Sequence, residues 1–210
     1  MIHFKYGNEL SLVPNLAHSM FQDRADQFSK RLGWDVTVNA IGEERDQYDE
    51  INPLYIIIEG PDGSHQGSMR FLPTLGRTMI NEHFQNLIGE GEIRSLFIWE
   101  CTRFCISPKA DFKTASKLMA AGAKLMHECS LDHFVAVFDQ RMERVYRLIG
   151  ASPTVIGRST SSGDPIGVGL WEFDAEAYAG LLNKAGVGEA EMDLFYSNSP
   201  RIYEDLALVG

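Results

Sequence analysis

The sequence predicts a single α/β domain with helices on both faces of one sheet. Three observations predict it: an amphipathic helical pattern near the start, two strand patterns joined by a turn, and then helix and strand in alternation. The chain has 210 residues, 44% of them hydrophobic and 23% charged, which suffices for one sizeable core without disulfides or a structural metal. No internal repeat and no Pro/Gly-rich linker divides it, so residues 1–210 read as one domain.

Residues 11–32 carry the helical period: Leu16, Met20 and Phe28 recur at spacings of four and eight, with Arg24 on the same stripe. Residues 55–59 (YIIIE) and 66–72 read as strands, with turn chemistry at residues 60–63 between them. Residues 96–106 (LFIWECTRFCI) form the strongest strand, rich in aromatic and β-branched side chains. A helix follows over 110–128, with Phe112, Ala115, Met119 and Met126 toward the core. Residues 134–138 (FVAVF) make a buried strand, and 140–148 a basic amphipathic helix ended by Gly150. Weaker strands lie at 154–156 and 167–173, a closing helix spans 175–184, and no clear pattern follows Glu191.

Nineteen basic residues against 29 acidic ones give a formal charge of −10, unsuited to general nucleic-acid binding, which draws on Lys and Arg. Three cysteines, Cys101, Cys105 and Cys129, are an odd count without metal-ligand spacing and read as buried thiols in a reducing compartment. No signal-peptide pattern and no apolar run of the ~20 residues needed for a bilayer span appears. The expectation is a cytoplasmic protein with no membrane or nucleic-acid partner and no metal.

Several residues sit where packing alone would not put them. Arg24 on an apolar helix stripe either meets an anion or snorkels to water. The run at 43–50 (EERDQYDE), with Asp46 and Asp49, is either a solvated face or a receptor for a cation such as Arg24. Arg70, between Met69 and Phe71, faces either water or a polar cleft. Glu100 falls with Leu96, Ile98 and Phe104, whereas Arg103 falls with Phe97, Trp99 and Cys101; a bulge near Cys101 and Thr102 is needed to bring both to one pocket. A buried carboxyl there is either half of a structural pair or a working group with a raised pKa. With Phe28 and Trp34, these residues suit a cleft for a zwitterionic, partly aromatic ligand.

The stretches Arg24-x-x-x-Phe28, Trp34, Glu44-x-Asp46-x-Tyr48-Asp49, residues 67–73 (GSMRFLP), Trp99-Glu100-x-x-Arg103-Phe104, Met142-Glu143-Arg144 and Gly150 resemble the acyl-homoserine-lactone synthase (autoinducer synthase) family of quorum-sensing bacteria. The resemblance covers roughly residues 1–160. It implies a GNAT-like mixed sheet in a three-layer α/β/α arrangement, splayed into a V-shaped cleft. It also implies a reaction in which S-adenosylmethionine is N-acylated by an acyl thioester, on acyl carrier protein or coenzyme A, and then lactonises with loss of methylthioadenosine. Both molecules are substrates, so no cofactor is implied.

That chemistry assigns expected roles. Glu100 is the base for the amine, directly or through a water, and Arg103 and Arg70 hold carboxylates with bidentate geometry. Arg24 belongs to the substrate-binding set, Asp46 and Asp49 order Arg24 and Arg70 or face the ammonium and sulfonium charges, and Phe28, Trp34 and Phe104 pack on the adenine or sulfonium. Phe138 and Met126 belong to the acyl pocket. Phe138 stands where many members making 3-oxo products carry Thr, which points to an unsubstituted, 3-hydroxy, branched or aromatic chain. Lys109, Lys113, Lys117 and Lys124 form a helix stripe that is either an ordinary solvated face or a docking surface for an acidic carrier, with Arg141, Arg144 and Arg147 as an extension. Two other readings stay open: a GNAT-type amine acyltransferase using acyl-CoA, and a non-catalytic ligand sensor.

Overall fold

The computed structural model describes residues 1–89, 91–159 and 165–198. Strand β1 (Ile2–Tyr6) opens the chain and alternates buried with half-buried side chains. The helical pattern that follows is three pieces: a 3-10 turn (Gly7–Leu12), helix α1 (Pro14–Arg24) and a π-helical turn (Ala25–Arg31). Pro14 begins the α-helix because it has no N–H to satisfy there. In the π turn Leu32 N–H donates to the Gln27 carbonyl, five residues back.

Strands β2 (Leu54–Glu59) and β3 (His65–Pro73) form the expected hairpin. Then come a short helix α2 (Met79–His83), strand β4 (Ile98–Ile106), helix α3 (Thr114–Glu128), strand β5 (His133–Asp139) and helix α4 (Met142–Ile149). Gly150 ends α4 at a φ of +90°, a conformation a side chain would strain. Strands β6 (Thr154–Arg158) and β7 (Ile166–Trp171) and helices α5 (Ala175–Ala185) and α6 (Glu189–Ser197) complete the order. The sequence showed no pattern for β1, α2 or α6. Helix α3 also begins later than the pattern suggested, which leaves Phe112 outside it and 90% exposed rather than in the core.

The strands make one seven-stranded sheet in the order β1-β2-β3-β4-β5-β7-β6, and every neighbouring pair is antiparallel except β4–β5. Strand β2 is buried on both faces. Its Leu54, Ile56 and Ile58 pack with Leu118, Ala121 and Leu125 of α3, while Tyr55 and Ile57 pack with Leu16, Met20 and Phe21 of α1. Helices therefore cover both faces, as the three-layer expectation requires.

Two irregularities shape the cleft. The parallel pairing of β4 with β5 covers only Ile98–Glu100 against His133–Val135, so the two strands part beyond Glu100. In addition, β3 and β4 shift register between Ser68/Arg70, where two steps on β3 match three on β4, from Cys105 to Thr102. The extra residue is a bulge at Arg103, whose φ of +54° lies in the left-handed region. A bulge was needed near Cys101 and Thr102, and it falls just past them.

Candidate active site

Register assembles the site. Tyr55 pairs with Arg70 and Arg70 with Thr102, so three adjacent strands present one row on the α1 face. Arg24 comes down from the last turn of α1, and the segment before β2 supplies the anions. That segment is pinned where Glu44 N–H donates to the Phe21 carbonyl and where Glu43 pairs with His18 and Arg45.

Three guanidiniums and three carboxylates interlock there. Arg24 donates from Nε to Glu44 (2.6 Å) and from both Nη atoms to Asp49 (3.0 and 2.9 Å). Arg70 donates from Nε to Thr102 Oγ1 (3.0 Å), and from its Nη atoms to Asp46 (2.5 and 3.0 Å) and Asp49 (2.7 Å). Arg103 reaches Glu44 (2.9 Å) and Asp46 (2.7 Å) through Nη2, because the bulge turns it onto this face. Tyr55 Oη donates to Asp49 at 2.5 Å.

The balance of charge makes the cluster stable. Burial alone would lower the Arg24 pKa, but Asp49 and Glu44 raise it. Burial would raise that of Asp49, yet Arg24 and Arg70 hold its carboxyl far below the usual range. Asp46 is likewise held down, against burial, by Arg70 and Arg103.

Two hollows meet at the parted strands. The larger, about 910 Å³, is lined by Phe28, Trp34, Asp46, Arg103, Phe104 and Phe138 among others. The smaller, about 240 Å³, is mostly apolar and runs between the sheet, α3 and α5, past Met69, Phe71, Met119, Met126 and Phe134. Thr102, Arg103, Phe104, Val137 and Tyr146 line both. Phe28 stacks on Trp34 with centroids 5.2 Å apart, and the Arg103 guanidinium lies 5.2 Å from the Phe28 centroid.

The hollows separate the sequence-predicted residues. Phe28, Trp34, Asp46, Arg103 and Phe104 line them, and Met126 lines the smaller one. Phe138, expected in the acyl pocket, lines the larger hollow and stands edge-on to Tyr146 and Trp171. Gly167 and Gly169 on β7 make room for its ring, since a Cβ there would come within 3.0 and 2.9 Å of it.

Arg24, Arg70 and Asp49, expected to meet the substrate or its surroundings, line neither hollow, and both guanidiniums are spent on internal partners. Glu100, expected as a base acting directly or through a water, lines neither hollow. Its side chain is sealed behind the wall, accepting from the backbone N–H groups of Met79 (2.9 Å) and Ile80 (2.6 Å) at the start of α2. Burial pushes its pKa up to about 7, against those two N–H groups and the charges of Arg70 and Arg103. A direct contact with substrate is therefore excluded in this arrangement.

The lysine stripe does not form either. Lys109 and Lys113 precede α3, Lys117 pairs with Asp111 at 3.1 Å, and Lys124 is buried between Glu128 (2.5 Å) and Asp193 (2.6 Å). The helix starts too late to carry all four, and α6, unseen in the sequence, covers its end.

Sequence reasoning passed over three residues. Glu44 appeared only within a motif, yet it is wholly buried and bridges Arg24 and Arg103. Gln27 donates to the Phe104 carbonyl (2.8 Å) and accepts from Ile106 N–H (3.1 Å), so its carboxamide serves β4 beyond the last β5 pair. Tyr146 lies on the predicted α4 pattern, but nothing local marks it as shared by two hollows.

A seven-stranded sheet whose one parallel pair parts between two hollows is the arrangement of a GNAT-like fold. The crystal structure of an acyl-CoA N-acyltransferase from Pseudomonas aeruginosa shares the fold at a TM-score of 0.56 with 13% identity, covering 81% of this chain and 99% of that one. Residues 9–177 match the family model described as autoinducer synthase. The acyl-homoserine-lactone synthase of Rhizobium etli is 39% identical over 164 residues, which are 75% of this chain and 77% of that one. That of Agrobacterium fabrum is 33% identical over 158 residues, 71% and 74% of the two chains. The crystal structure of the AHL synthase LasI superposes at a TM-score of 0.75 with 26% identity, covering 87% of this chain and 94% of that one. The chain belongs to the autoinducer synthase family and is an acyl-homoserine-lactone synthase.

Proposed function

We propose that the larger hollow holds S-adenosylmethionine and the smaller one the acyl chain of a thioester donor, with the two reacting where the strands part. The observation that carries this reading is the unequal state of the three arginines. Arg24 and Arg70 use every guanidinium nitrogen internally, whereas Arg103 engages Nε and Nη2 and keeps Nη1. Arg103 is thus the group that can take the substrate carboxylate, with Asp46 beside it toward the ammonium. The Phe28–Trp34 stack offers π faces to the sulfonium or the adenine. Among related folds, BjaI has been solved with SAM and isopentyl-CoA, and TofI with an inhibitor and MTA.

In the first step the substrate amine loses a proton and attacks the thioester carbonyl; the N–C bond forms, the C–S bond breaks, and a thiol leaves. In the second the carboxylate oxygen bonds to the carbon bearing the sulfonium, and methylthioadenosine departs. Glu100 can receive the amine's proton only through an intermediary, because its carboxyl lines neither hollow.

The test is incubation of the purified chain with S-adenosylmethionine and an acyl donor, once as acyl-CoA and once as acyl carrier protein. Methylthioadenosine and an acylated homoserine lactone should appear in equal amounts with at least one donor. Absence of lactone with both would overturn the reading.

A further inference from the structure

Tyr146 occupies the junction and has no internal use for its hydroxyl. The residue is 5% exposed and lines both hollows. Its ring is fixed edge-on to three others: Phe104 (6.4 Å), Phe138 (5.6 Å) and Trp171 (5.2 Å). Buried phenols ordinarily find a partner. Among the described residues the Tyr146 hydroxyl makes no hydrogen bond, and it is not among the fully sealed polar atoms. Tyr178 also lines the smaller hollow, but its hydroxyl is sealed from it. The Tyr146 hydroxyl interacts electrostatically with Cys101, which lines only the smaller hollow. Tyr146 thus faces the acyl-chain hollow as well as the larger one. Burial, and then Cys101, raise its pKa, so the phenol keeps its proton and acts as a donor.

We propose that Tyr146 selects the acyl chain, donating a hydrogen bond to an oxygen that the chain carries next to the thioester, so that the preferred donor is a 3-hydroxy- or 3-oxoacyl thioester. This rests on the assignment of the smaller hollow to the acyl chain. Phe138 offers no hydroxyl to such an oxygen; its edge-on neighbour does. An unsubstituted chain would leave the phenol buried and unpaired, a state that enzymes use to reject the wrong substrate.

A competition assay tests the proposal. The chain receives S-adenosylmethionine with equal amounts of octanoyl, 3-hydroxyoctanoyl and 3-oxooctanoyl thioesters on one carrier, and the lactones are quantified by mass spectrometry. Wild type should favour at least one oxygenated donor by about tenfold to a hundredfold over octanoyl, the range of one buried hydrogen bond. In Tyr146→Phe, which keeps the ring contacts, that ratio should fall to about one. A ratio is independent of the fraction of enzyme folded, so partial misfolding does not mask the outcome. A wild-type ratio near one, or a variant that loses activity on all three donors alike and keeps the ratio, overturns the proposal. No lactone from any donor overturns the acyltransferase reading, and this inference with it.

Discussion

Arg103 shows how one backbone dihedral turns a residue into a site. In a regular strand it would share a face with Cys101, whose packing is with the α3 side. The bulge carries it to Glu44, Asp46 and Phe28 instead. Lysine there would place a point charge where a planar fork is needed. Arg103→Lys should lower kcat/KM for S-adenosylmethionine by about tenfold to a hundredfold, the scale of a charged hydrogen bond, measured as initial rates of methylthioadenosine release. Glu100 makes a prediction of opposite character. Its carboxyl titrates near 7 in the fold against 4.5 when unperturbed. The folded state then binds the extra proton between those values, so Glu100 makes stability fall as pH rises through that window. The swing is roughly 3 kcal/mol. Thermal melts at about pH 5 and about pH 8 should show a smaller difference in Glu100→Gln than in wild type. An acidic limb near neutrality that persists in the variant's rate profile would show that the amine's proton leaves by another route.

Elements were legible to the degree that their period is local. Helix α1, the β2–β3 hairpin, β4, β5 and α4 each carry a pattern their own residues complete. Strand β1 is five residues long and is defined by its pairing with β2. Helix α2 is also five residues long and is held by Glu100, a residue of another element. The π turn is equally invisible, since a shift from four-residue to five-residue hydrogen bonding leaves the apolar spacing almost unchanged. Close approach decides the glycines. A Cβ at Gly157 in β6 would lie 1.8 Å from the Leu87 carbonyl oxygen, and a backbone atom cannot step aside as a side chain can. Gly157→Ala should cost about 1–3 kcal/mol, read as a Tm lower by several degrees, with the loop after α2 losing its protection in hydrogen exchange.

Across the whole molecule, the interlocked charges occupy a place that apolar side chains could fill with equal stability. The α1-face cores lie at separate places, one under α1 and one under α2, and the charge cluster joins the elements at the cleft. Asp49, held far below the usual range by Arg24 and Arg70 against the effect of burial, contributes stability above about pH 4 that disappears as pH falls through its folded pKa. Asp49→Asn leaves those arginines short of an anion and should cost about 3–5 kcal/mol near neutral pH. Urea unfolding at about pH 7 and about pH 3 should show the deficit shrinking at the lower pH, because the Asp49 carboxyl of the unfolded wild-type chain protonates there while the folded one stays ionised. No helix among the described residues is long and apolar enough to cross a membrane.

By itself the sequence determined the layered α/β plan, the family, and the presence of charges too numerous for an apolar core. These properties rest on local periodicity and on residue identity, both of which the chain carries in order. Only the tertiary structure decided which charges face the hollows. Arg24, Arg70 and Asp49 became scaffold, Glu100 became an anchor for α2, and Arg103, Asp46 and Tyr146 were left open to the hollows. That division depends on a register shift and on strands that part, and both arise from contacts between residues distant in sequence.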